Sequence, residues 1–76
     1  MYCKVKRKFN LFAFGVYIDL KNSELGLTIL DMNRYYEVKK LLDLSLIIFL
    51  DSGREAMVSK QIVDIFTKDE RMVEDL

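Results

Sequence analysis

The chain has 76 residues and 9.0 kDa, is 51% hydrophobic, carries 12 basic and 12 acidic side chains, and contains one Cys and no His, Pro or Trp. Without His, and with one thiol, it cannot assemble the Cys and His ligand sets of zinc sites or an internal disulfide. A formal net charge of zero argues against steering the whole surface toward nucleic acid or anionic lipid.

A chain of this length hides only about 60% of the surface its unfolded form exposes. Disulfide and metal being excluded, dense packing or association with another molecule is expected to supply the remaining stability. The opening Met1-Tyr2-Cys3-Lys4 lacks the apolar core of a secretory signal, and a lone Cys suits a reducing compartment, so the expected location is cytoplasmic. The longest apolar run, Leu41 to Leu50, includes Asp43 and Ser45 and falls short of the roughly 18 residues needed to cross a bilayer. No repeat or linker divides the sequence, so residues 1–76 read as one small domain.

Residues 5–20 are rich in β-branched and aromatic types, and Phe12, Phe14, Val16, Ile18 and Leu20 recur with period two, which predicts a strand. Both faces of its middle are apolar, as a covered central strand requires, which places Phe12 and Phe14 in the core. Before Asn10 the alternation changes phase, predicting a bulge or bend there. Lys21-Asn22-Ser23-Glu24 then reads as a hairpin turn into a second strand bearing Leu25, Leu27 and Ile29.

Asp31 or Asn33 is suited to cap a helix carrying Tyr35, Val38, Leu41 and Leu42 at helical spacing, with Glu37 and Lys40 as a weak supporting pair. Residues 44–50 fit either a buried strand or a continuation of that helical stripe. Shortness, the cluster Ile47-Ile48-Phe49 and the polar turn Asp51-Ser52-Gly53 favour the strand. Ser52 and Glu55 have capping-box spacing, which predicts a long terminal helix with a stripe at Val58, Ile62, Ile65 and Phe66; Asp64 and Lys68 would support it, and a second such box, Thr67 and Glu70, would kink it. The predicted order is strand, strand, helix, strand, helix, an α+β domain whose helices pack on one face of a three-stranded sheet.

Catalytic equipment is sparse: without His the standard triads and dyads are missing, and Asp19, Asp31, Asp43 and Asp51 fall where caps and turns are expected. The chain is therefore expected not to be an enzyme and to need no cofactor or metal. Two charged regions are candidate contact surfaces. Lys4, Lys6, Arg7 and Lys8 stand among aromatic residues, the combination a single-stranded nucleic acid would need. Asp69, Glu70, Glu74 and Asp75 give the predicted terminal helix an acidic face suited to a basic partner. Residues 1–40 carry net +4 (8 basic, 4 acidic) and residues 41–76 net −4 (4 basic, 8 acidic). Of Tyr35 and Tyr36, one ring is expected inside and one outside, and Tyr36 is taken as a contact residue.

These readings converge on a non-catalytic protein-interaction module, a small inhibitor or adaptor acting by stoichiometric binding to a larger protein, with a homodimer as a further form. The alternative is nucleic-acid binding through the basic N-terminal strand.

Overall fold

The structure is a computed structural model and describes residues 1–9 and 11–69, together with the backbone of Met72–Val73. Strands β1 (Tyr2–Val5), β2 (Phe14–Asp19), β3 (Glu24–Ile29), β4 (Tyr36–Leu41), β5 (Ser45–Asp51), β6 (Arg54–Ser59), β7 (Val63–Phe66) and the two-residue β8 (Met72–Val73) form one sheet in the order β3-β2-β6-β5-β4-β1-β7-β8. Every pairing is antiparallel. The described residues contain no α-helix, only short 3₁₀ turns at Arg7–Phe9 and Lys60–Ile62. The α+β expectation is thus overturned in favour of an all-β chain.

Pairing between distant segments decides the two regions read as helices. Tyr36–Leu41 is held between β1 and β5, and its Val38 and Leu41 match Ile48 and Leu46 across the ladder. Such pairing overrides a weak helical spacing, because β preference reflects the fit of a side chain to its cross-strand neighbours. Asp31 does accept from a backbone amide, that of Asn33 at 2.8 Å, but the contact closes a turn instead of starting a helix. The apparent capping box at Ser52 is the two-residue loop of the β5–β6 hairpin, in which Asp51 faces Arg54. Gly53 adopts a φ of 106° there, a conformation open to glycine and strained for other residues. Glu55 is a strand residue bound to Lys39 at 2.6 Å, and Asp64 approaches Lys6 at 4.0 Å in place of a helical pair with Lys68. The proposed kink at Thr67 depends on Glu70, which lies outside the described residues.

Elsewhere the strand readings match the structure more closely. β5 occupies the 44–50 segment, and β2 and β3 form the expected hairpin, with Asp19 facing Glu24 across its turn. Residues 5–20, however, do not form one bent strand: β1 ends at Val5 and β2 begins at Phe14, with the Arg7–Phe9 turn between.

The sheet curls so that both of its halves contribute to one core. Cys3 and Val5 of β1, Tyr36 of β4, Leu46, Ile48 and Leu50 of β5, Ala56 and Val58 of β6, and Val63 and Ile65 of β7 are buried in a single cluster. Along β5 the buried residues alternate, as the two-residue period of a strand with one covered face requires. At about 25 cal/mol per Å² of apolar surface removed from water, this cluster is the main stabilising contribution of the fold.

Candidate functional site

Directly opposed residues on adjacent antiparallel strands point to the same side of a sheet, so the registers sort the side chains of β3, β2, β6 and β5 into two faces. Gly15, Tyr17 and Asp19 of β2 share the core side with Ala56 and Ile48 and with Glu24, Gly26 and Thr28 of β3. Phe14, Val16 and Ile18 share the opposite side with Leu25, Leu27 and Ile29, with Met57 of β6 and with Ile47 and Phe49 of β5. Along β2 the small and polar Gly15 and Asp19 are buried and Phe14 and Val16 are exposed, whereas β3 is exposed on both sides apart from the half-buried Thr28.

The outward residues remain open to solvent. Leu25, Leu27 and Ile29 are 74%, 76% and 83% exposed, and Phe14, Val16, Phe49 and Met57 lie between 36% and 48%. This overturns the expectation of a strand covered on both faces with Phe12 and Phe14 in the core, since both rings are exposed. A groove of about 400 Å³ crosses the face between Phe14, Val16, Leu27, Leu44 and Met57. One acid interrupts the apolar surface: Glu55, opposite both Ile18 and Phe49, is buried there under the ammonium of Lys39.

Two local features hold this arrangement. The Asp19 carboxylate closes the hairpin by accepting from the backbone amides of Lys21 at 2.9 Å and Asn22 at 3.1 Å, from the Asn22 side chain at 3.0 Å and from the Tyr17 hydroxyl at 3.1 Å. Those donors, the Asn22 amide foremost, hold its pKa below the ordinary carboxylate value. Gly15 lets β2 lie against β6, since a Cβ at that position would stand 2.9 Å from the Met57 carbonyl oxygen.

A second, smaller feature lies on the outer side of β1 and β7. Tyr2 opposes Phe66, the rings of Tyr35 and Phe66 meet edge to face with centroids 5.4 Å apart, and the Lys4 ammonium stands 5.0 Å from the Tyr35 ring centroid. With Thr67 and Lys68 the three rings line a cleft of about 290 Å³.

The candidate residues from the sequence are dispersed over these features. Lys4 stands over the Tyr35 ring, Lys6 lies near Asp64, and Arg7 and Lys8 are exposed on the 3₁₀ turn, where Lys8 stands 5.0 Å from the Phe9 ring centroid. Tyr36 is the buried member of its pair: its hydroxyl accepts from the Asp31 amide at 2.8 Å, and Arg34 covers its ring at 4.7 Å. Tyr35 is the exposed one, so the expectation that Tyr36 is the outward ring is overturned by its burial. Asp69 is exposed in a turn, whereas Glu70, Glu74 and Asp75 lie outside the described residues. The acidic helix face loses its basis through residue 66, because β6, a 3₁₀ turn and β7 occupy that stretch.

Asp19, Asp31 and Asp51 each anchor a turn, and Asp43 is exposed between β4 and β5. Cys3 is fully buried in the core, and burial pushes its thiol up to about 12, which holds it as an inert thiol near neutrality. Among the described residues no helix is long and apolar enough to cross a membrane.

The outer residues of the hairpin were missed as a contact surface because period two says that alternate residues share a face, not which face is covered. The available signal was the complementary set, Gly15, Asp19, Glu24 and Gly26, whose small or charged side chains fill little of a core. A scan against protein-family models, a search of curated proteins and a search of solved structures returned no match to this chain.

Proposed function

We propose that the chain is a protein-interaction module that binds stoichiometrically through the outer face of β3, β2, β6 and β5. The supporting observation is the run of seven exposed large apolar residues across adjacent strands. Monomeric proteins rarely leave a contiguous apolar patch larger than a few hundred Å² uncovered, and larger ones mark contact sites.

The test is recovery of bound protein from host lysate after nuclease treatment, using the wild-type chain and Leu27→Asp as baits. Leu27 makes little contact with the core, so the variant should keep its fold by circular dichroism while losing the bound protein. Equal recovery by both baits would contradict the assignment.

A second reading, single-stranded nucleic acid, draws on the rings of Tyr2, Tyr35 and Phe66 beside Lys4, which combine stacking surfaces with a cation. Replacing Lys4, Lys6, Arg7 and Lys8 by Glu and titrating labelled RNA at two salt concentrations tests it. Binding that weakens with salt and disappears in the variant would support this reading; affinity unchanged by the substitutions, or absent from the wild type, would reject it.

A further inference from the structure

Resting on the assignment of the outer face as a docking surface, we infer that its occupant is a second copy of this chain, packed face to face about a two-fold axis. The available area fits. At roughly 150–200 Å² for a fully open side chain of this size, the seven exposed residues leave about 700 Å² uncovered, against about 800 Å² per partner in a standard interface.

The chemistry of the face fits as well. Its embedded acid, Glu55, is already paired with Lys39 at 2.6 Å, so the centre of the face selects no charged partner and matches a surface as apolar as itself. A two-fold interface needs a patch that complements itself. Here the proud ridge of Leu25 and Ile29 and the groove beside Met57 lie on one face, so the ridge of each copy can enter the groove of the other. Face packing also covers these side chains, whereas pairing through the open edge of β3 would leave them in water. A chain this short gains from association the burial that its own core does not supply.

Multi-angle light scattering and sedimentation across the micromolar range test the inference, with Met57→Lys and Val16→Lys as variants. Both residues lie on strands flanked on each side by neighbours, so the substitutions place a charge on the face without altering the β3 edge. The wild-type chain should have twice its 9.0 kDa mass. Each folded variant, checked by circular dichroism, should dissociate at a concentration at least tenfold higher. If one variant fails to fold, the other decides. A wild-type chain that stays monomeric throughout the range overturns the inference, as does a dimer whose affinity the folded variants leave unchanged, since that would be edge pairing. A monomeric wild type whose nuclease-resistant partner is lost in Leu27→Asp would overturn self-pairing alone and leave the docking assignment standing.

Discussion

The β5–β6 hairpin and the β2–β3 hairpin use the same alternation and orient it oppositely. In β5, Leu46, Ile48 and Leu50 point into the core; in β3, Leu25, Leu27 and Ile29 point away from it. Alternation specifies a strand, but its neighbours determine the side on which its apolar residues fall. β5 and β6 face β1 and β7 across the curled sheet, so their inner sides meet apolar partners. β2 and β3 extend the sheet past that cluster, and β2 meets it with Gly15 and Tyr17 instead. The first hairpin contributes stability, and the second presents a surface.

Substitutions at equivalent apolar positions should expose this contrast. Leu46→Ala, at a fully buried site, should lower the unfolding free energy by about 2–5 kcal/mol in urea titration, through lost transfer energy and the cavity left behind. Gly53→Ala should cost about 1 kcal/mol in the same measurement, because its φ of 106° excludes an unstrained Cβ. At the other extreme, Leu27→Ser should change the stability of the dilute chain by no more than about 0.5 kcal/mol, the usual range for a surface site. A loss at Leu27 as large as that at Leu46 would erase the distinction between the hairpins.

The two regions should also differ in pH response. Asp19, in the β2–β3 turn, has a folded pKa held below the usual 3.8 by its amide donors. The stability it contributes is present above 3.8 and is lost as the pH falls through the depressed folded value. Cys3, in the core, has the opposite sign: its thiol ionises near 9.0 in the unfolded chain and near 12 when folded, so stability declines as the pH rises between those values. Thermal unfolding followed across both ranges should show both declines, and Asp19→Asn should flatten the acid one. Alkylation of Cys3 by iodoacetamide at neutral pH should be slow until the chain unfolds.

The sequence made strands legible where period two was strong, in Phe14–Asp19 and Glu24–Ile29, and where a short run holding Ile47-Ile48-Phe49 ended at a polar turn, in Ser45–Asp51. It misled where apolar residues also fell at helical spacing. Tyr35, Val38 and Leu42 suit a helix in isolation, and only pairing with Cys3 and Leu46, 33 and 5 residues from Tyr36 and Leu41, makes the segment a strand. Ser52 and Glu55 satisfy a helix-start spacing, yet Gly53 between them supplies the positive φ of a hairpin loop. The basic cluster was visible as composition, but the rings that join Lys4 were not, because Tyr35 and Phe66 reach it through the β1–β7 pairing and a packing contact 31 residues long. The outward face was hidden for the same reason: which side of β2 is covered depends on where β6 lies.

Side-chain oxidation by hydroxyl radicals, read residue by residue in the Met57→Lys chain, tests the orientation of the two hairpins most directly. Leu25, Leu27 and Ile29 should oxidise readily while Leu46 and Ile48 resist. Equal labelling of the two sets, or stronger labelling of Leu46 and Ile48, would contradict the inverted hairpin and remove the surface on which the functional assignment rests.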